Sequence, residues 1–563
     1  MKDLPCLYIL KYLYIRGMDY FVGVDCGTGS VRAALVSTKG KIIKIATCPL
    51  EIYHPAPNFY EQSSDNVWSA VCLVVKSVVA GTPTENIKGI GFDATCSLVA
   101  LDESGCPVTV SPTGDDKQNI ILWMDHRAKS EADFINNLSH DVLRYVGGKI
   151  SLEMQCPKLL WLKKNLPQSW SRVGLLFDLP DFLTWKATGF ESRSLCSLVC
   201  KWNYIASPHG KKGWSEDYMN QINLQELKVD NWRKIGNDVR APGDPVGSGL
   251  SGQAAAELGL LKGTAVGTSL IDAHAGGLGM IGCSALGISD DFTSKLALIC
   301  GTSTCHMVVS ENEIFINGVW GPYYSAMIPG LWLNEGGQSA TGKLLDHVIN
   351  THPATPEILK SLSGNKHIQQ YLSELLQSMA EKKNLGNISY LTKDIHVWPD
   401  FHGNRSPIAD STLQGMISGL SLALDEENLA MLYLATVQAL TYGTKHILET
   451  MSAAEHKIKS VLVCGGLSQN PLFLQIQADV LQLPVLCPIE KESVLIGASI
   501  LGAYAARAFK TMGEAINAMG GTATIIKPKS ECYQYHLRKY HVFKKMLQDQ
   551  KEYRKIMNNK KNI

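Results

Sequence analysis

The amino-acid sequence predicts an α/β protein built from two sheet-based domains, and three observations lead there. The first is a repeated hairpin. Residues 21–37 read FVGVDCGTGSVRAALVS and residues 296–310 read LALICGTSTCHMVVS. Each is an apolar, β-rich run, a Gly-Thr turn and a second β-rich run. The second observation is the alternation of strand-like and helix-like segments, which indicates sheets covered by helices. The third is length: 563 residues exceed what one hydrophobic core ordinarily serves.

Taken in order, the first hairpin is followed by a strand over 42–52, a helix over 64–79 and a strand over 87–92. A helix-rich insert covers 128–227. The Gly/Ser/Asp stretch at 282–291 is the expected link between domains. The second hairpin opens the other half, with a charged helical segment over 356–383 and a long helix over 426–452. A buried strand over 460–464 then leads through Gly465-Gly466 into another helix. Beyond residue 509 the chain turns Lys- and Tyr-rich, which reads as a solvated helix with a frayed end rather than a basic arm for an acidic partner. The first 17 residues are apolar and basic. Lys11 interrupts them and no small-residue cleavage site follows, so they read as an extension dispensable to the fold, with Met18 as an alternative start. The expected division is an extension over 1–18, an N-terminal domain over 19–285, a C-terminal domain over 292–510 and a helical tail over 511–563.

Hydrophobic residues make up 45% and charged residues 19%, with a formal net charge of +1. That is ordinary for a globular enzyme and offers no field to draw the chain to nucleic acid or a membrane surface. No apolar run is long enough to cross a bilayer. Cys26, Cys300 and Cys464 end apolar runs, where cysteine acts as a small hydrophobe. Cys196 and Cys200 form the nearest-spaced pair, without the second pair or neighbouring histidines of a zinc motif. A reduced, cytoplasmic setting is expected.

The hairpin tips carry the chemistry. Successive N–H groups in a tight turn make an anion-binding concavity, and glycine lets a ligand approach the backbone. Gly27, Thr28, Gly29 and Ser30 in one tip, and Gly301, Thr302 and Ser303 in the other, are therefore phosphate-binding candidates, with Arg32 pointing at the same anion. Asp25 next to such a cradle implies a bridging Mg²⁺. Asp272 ends an apolar run and opens a segment of small residues. It suits a general base that takes a proton from a hydroxyl, although a helix cap would use the same residue type. His274 reads as structural. Gly465, Gly466 and Asn470, between a strand and a helix, are where a nucleotide often binds. Arg405 either binds an anion or ties its loop down.

In this order the motifs resemble the FGGY family of carbohydrate kinases over residues 20–507. They are Asp25-Cys-Gly-Thr-Gly-Ser30 with Arg32; Glu61-Gln62 and Trp68; Trp123-Met-Asp125 with Arg127; Asp272; Gly301-Thr-Ser-Thr304; Gly403-Asn-Arg-Ser-Pro407 with Asp410; and Gly465-Gly466 with Asn470. The resemblance implies two ribonuclease-H-like domains of the actin and sugar-kinase type, with an interdomain catalytic cleft where MgATP and a sugar or polyol meet. Where glycerol kinases carry an Arg-Glu pair, this chain has Asp93-Ala-Thr-Cys-Ser97, which leaves room for a longer sugar. The stretches FDATCS, CKWNY, DAHAGG, GTSTCH and EGGQSATG resemble ribulokinases. On that resemblance Ala94, Lys201, Asp272 and Glu335 surround a ketopentose, D-ribulose being expected, and Gln338 adds a donor. ATP would place its adenosine against Gly465–Asn470 and its phosphates at the two tips. Other pentuloses, a pentitol, or a nucleotide-driven switch are the competing readings. A small-molecule sugar and MgATP are the expected partners, with no nucleic acid and no membrane, and a homodimer is one candidate assembly.

Overall fold

The computed structural model describes residues 18–210, 212–362 and 366–558; the reading of the first 17 residues lies outside them. The chain forms two compact units that interleave in sequence. The first runs through Leu286 and adds Val309–Asn334 and Ile489–Thr522; the second takes Gly287–Val308, Glu335–Pro488 and the chain from Ala523. The continuous runs expected for the two domains are therefore interrupted: residues 489–510, expected in the second, and 511–522, expected in the tail, belong to the first.

In the first unit, β1 (Tyr20–Cys26), β2 (Ser30–Ser37) and β3 (Ile42–Pro49) form an antiparallel meander. Helix α1 (Ser64–Val79) crosses to β4 (Ile87–Ala94), which pairs in parallel with β1. The short helix α2 (Leu195–Lys201) lies far along the insert, and β5 (Ala265–Ile271) leads directly into α3 (Asp272–Ile281). Strand order is β5-β4-β1-β2-β3, with β5 also parallel to β4. The boundaries of α1 follow from local chemistry. The Ser63 side chain accepts from the Asn66 N–H as an N-cap, and Val67, Val71, Val74, Val75 and Val78 put one face in the core.

A nearly all-apolar helix, Ser493–Ala505, is buried against this sheet. Glycines permit the approach. A Cβ at Gly23 would lie 2.2 Å from the Leu495 carbonyl oxygen, one at Gly91 2.0 Å from that of Ala498, and one at Gly279 1.9 Å from that of Ser493. The small residues after Asp272 are thus explained by a neighbouring helix backbone and not by a ligand.

The second unit repeats the plan. Strands β6 (Lys295–Cys300) and β7 (Thr304–Ser310) make the second hairpin, with β8 (Trp332–Gln338) beyond. The long helix α4 (Glu426–Ala453) leads to β9 (Ser460–Gly465), parallel to β6; α5 (Pro471–Leu481) leads to β10 (Val485–Pro488). The order β8-β7-β6-β9-β10 matches that of the first unit. Strand β11 (Ala523–Ile526) adds antiparallel to β10, and α6 (Tyr533–Met557) closes the described chain.

The expectation of a solvated C-terminal helix is corrected here. Tyr540, Phe543, Met546 and Leu547 of α6 are buried, the Phe543 ring lies 4.5 Å from that of Trp398, and the Tyr540 hydroxyl donates to Glu449 at 2.7 Å. Most of the Lys and Arg residues that make the segment look soluble occupy its other faces, while Lys539 is buried and donates to the Thr392 carbonyl at 2.7 Å. Phe543→Ala should cost about 3–5 kcal/mol of stability in urea unfolding; an unshifted midpoint would show that this face is not core.

Candidate active site

The first hairpin tip is braced from outside. Gln62 Nε2 donates to the Thr28 carbonyl at 2.8 Å, and Trp123 Nε1 donates to Thr28 Oγ1 at 2.9 Å. Because the indole N–H is only a donor, the Thr28 hydroxyl keeps its own proton to give elsewhere. Behind Trp123, the buried Arg127 pairs with Glu61 at 2.7 Å and Asp125 at 2.6 Å, under the Phe59 ring. The Glu61-Gln62 and Trp123-to-Arg127 motifs thus hold the tip in place.

The glycines of the tip are unusual in having no local reason. A Cβ on Gly29 would meet nothing within 4 Å, and one on Gly27 only the Ser30 carbonyl at 3.5 Å. Gly301 is similar, with the Ser303 carbonyl at 3.8 Å, and Gly466 meets nothing. None of these four has a left-handed backbone. The Gly27 and Gly301 N–H groups close their own turns on the Ser30 and Ser303 carbonyls, and the open space left by the missing Cβ atoms fits phosphate oxygens. Gly465 differs: its φ is +83° and a Cβ would lie 2.4 Å from the Cys300 carbonyl, so its role is structural. The second tip is clamped by the following loop, with the Thr341 N–H donating to the Thr302 carbonyl at 2.9 Å and the Thr341 hydroxyl 2.8 Å from that of Thr304.

Asp25 does not stand alone. Its Oδ2 accepts from Arg32 Nε at 3.0 Å and Nη2 at 2.5 Å, while Arg32 Nη1 reaches Glu492 at 2.5 Å. Arg32, expected on phosphate, is here tied to two carboxylates, and a cation at Asp25 shares the residue with this guanidinium. Asp25 is the residue here that could hold a divalent cation, through a water of its hydration shell.

Sequence reasoning missed Asp93 as an acid. The strand register sets it beside Asp25, and it is fully buried. Burial pushes its carboxyl well above the ordinary range, and the charges of Asp25 and Asp272 push it further. The folded chain therefore holds a proton that the unfolded chain releases near pH 4, so Asp93 lowers stability as pH rises from there. Asp93→Asn should gain stability relative to the parent with increasing pH, by at most about 1.4 kcal/mol per unit. Parallel urea midpoints for the two proteins at pH 5 and pH 8 would refute this.

Asp272 is the first residue of α3, after the cap residue Ile271, and its Oδ1 accepts from the Ala273 N–H at 2.6 Å. It is partly exposed. Ala94 ends β4 in register with Cys26, beside the tip. Lys201, the last residue of α2, is buried with its Nζ 3.7 Å from Glu153 and 4.4 Å from the Trp320 ring centroid. Neither neighbour carried a local signal. In the second unit Glu335 is buried on β8. Two of the candidates there also carry packing bonds. Gln338, read as a sugar donor, gives Nε2 to the Leu440 carbonyl at 2.8 Å across the bare face of Gly443. Asn470, read as a nucleotide ligand, caps α5 through the Phe473 N–H and donates to the Tyr433 hydroxyl at 2.6 Å. Both anchor helices. Arg405 likewise packs on Gly337 and reaches Cys305, and the loop it belongs to is held by Asn404, which accepts from the Ile408 N–H and donates to Asp400.

Two successive sheets of one topology, each opening with a glycine-tipped hairpin, define the class. The chain belongs to the FGGY family of carbohydrate kinases: the N-terminal domain of that family matches residues 20–228 and the C-terminal domain residues 296–506. It is 52% identical over 546 residues to the human FGGY carbohydrate kinase domain-containing protein, covering 96% of this chain and 98% of that one. It is 39% identical over 520 residues to a D-ribulokinase of Saccharomyces cerevisiae, covering 87% and 72%. The fold matches that of a xylulose kinase from Rhodospirillum rubrum at a TM-score of 0.76 and 19% identity, covering 95% and 99%. The two-domain, ribonuclease-H-like α/β fold expected from the motifs is the fold observed. Among the described residues no helix is long and apolar enough to cross a membrane.

Proposed function

We propose that the chain phosphorylates a ketopentose, D-ribulose to D-ribulose 5-phosphate, at the expense of MgATP. The observation that carries the phosphotransfer reading is the set of bare glycines at Gly27, Gly29 and Gly301, which packing and backbone conformation leave unexplained. The choice of sugar is supported by the 39% identity to the yeast D-ribulokinase. MgATP supplies the transferable γ-phosphoryl group and a divalent charge to offset it.

The residues of the chain do the rest. The N–H groups and hydroxyls of Thr28, Ser30, Thr302 and Ser303 receive phosphate oxygens. Lys201, held by Glu153 and Trp320 in one place, donates to a sugar oxygen, and Glu335 accepts from a sugar hydroxyl. Asp272 takes the proton of the attacking terminal hydroxyl. No covalent intermediate is needed, so acceleration comes from positioning and from donors fixed in advance. Relatives about 30% identical carry the name ribulokinase without specifying the hand of the sugar, so L-ribulose is the second reading. A panel of D-ribulose, L-ribulose, xylulose and ribitol with coupled ADP detection tests both. Turnover greatest with D-ribulose is expected; sugar-independent ATP hydrolysis alone would overturn the proposal in favour of a nucleotide switch.

A further inference from the structure

The structure corrects one more expectation. Cys196 and Cys200 have no histidine near them in sequence, but the fold brings one. Both lie on α2, four residues apart and so on one face. Helix α3 presents His274 to that face, with Nε2 3.4 Å from the Cys200 sulfur. The three ligand atoms all lie within 4.8 Å of one another, and all three side chains are buried. We infer that Cys196, Cys200 and His274 form a binding site for zinc.

The geometry and the charge both support this cation. Zinc bonds of about 2.3 Å to sulfur and 2.0 Å to nitrogen, at tetrahedral angles, place the two ligand atoms about 3.5 Å apart. The Cys200–His274 separation already matches, and the Cys196 sulfur lies within 4.8 Å of both other ligand atoms. Two thiolates and a neutral imidazole around Zn²⁺ carry no net charge, so the site can stay buried without an unpaired ion. Magnesium and calcium are excluded by ligand type, because the cluster offers soft sulfur and imidazole nitrogen and no carboxylate oxygen. Binding displaces two thiol protons to solvent and leaves a fourth coordination position for another donor. The ion would join the helix that ends in Lys201 to the helix that begins at Asp272, each next to or two residues from a ligand. Its effect on catalysis rests on the kinase reading; its existence does not.

The test uses the full chain, reduced, treated with equimolar Zn²⁺ and then passed over a weak chelating resin. Elemental analysis should find about one zinc per chain, falling to less than about a tenth in the Cys196→Ser/Cys200→Ser double variant and unchanged in Cys106→Ser. Replacing zinc with Co²⁺ in the parent protein should produce the intense visible bands of a tetrahedral site and thiolate-to-cobalt charge transfer. His274→Gln should weaken retention and move those bands. Failure of the parent to retain zinc, equal retention by the double variant, or a cobalt spectrum without thiolate bands would each overturn the inference. The cobalt spectrum of the parent decides the matter even where a variant folds poorly. Neither readout needs sugar phosphorylation, so failure of the kinase reading would leave this test intact.

Discussion

Asp272→Asn is expected to lower sugar phosphorylation by about 10³-fold while leaving ATP affinity within about twofold of the parent. The substitution is mild in structural terms. Asn retains an acceptor for the Ala273 N–H, the cap of α3 belongs to Ile271, and the helix is held by its glycine contacts with Ser493–Ala505. What disappears is the capacity to accept a proton from the sugar hydroxyl. Single-turnover measurement of product, beside calorimetric titration with ATP, separates chemistry from binding. Turnover within about tenfold of the parent would remove Asp272 from the role of base.

Gly301→Val should act on the other reactant. The space a Cβ would enter contains only the Ser303 carbonyl, at 3.8 Å, so the variant should fold with an ordinary melting temperature. Its ATP affinity should fall by about 10²-fold, as expected when phosphate loses access to fixed donors. Gly465→Val makes the contrast. There φ is +83° and the Cβ meets the Cys300 carbonyl at 2.4 Å, so the damage should appear as lost stability. Parental ATP binding by Gly301→Val would mean that the second tip touches no phosphate.

The two hairpins were legible because a tight Gly-Thr turn joins two apolar, β-rich runs that are close in sequence. Helix α1 was legible to the residue because Ser63 caps it and its valines keep helical spacing. Asp93 was visible only as a polar residue at the end of a strand. Its burial comes from the parallel pairing of β4 with β1 and β5, which local pattern does not encode. The same holds for His274 beside Cys200, two helices joined only through the fold. Gln338 and Asn470 show bonds the motifs did not announce. Their motifs resembled binding elements, yet each amide is committed to a helix, because a buried amide near a carbonyl or hydroxyl is satisfied there first. In α6, composition favoured solvent since its many charges outnumber the residues of one buried face, and a single face suffices to pack a helix.

The interleaving of the units bears on how the protein is made. The five-stranded sheet of the first unit is complete once Ile271 has been synthesised, but the helix that covers its glycine-lined face, Ser493–Ala505, leaves the ribosome more than two hundred residues later. Until then the nascent chain carries an uncovered apolar surface through translation of nearly the whole second unit, a period in which domains that are continuous in sequence would already be closed. A fragment that stops at the first boundary, before that helix, is expected to be unstable for the same reason.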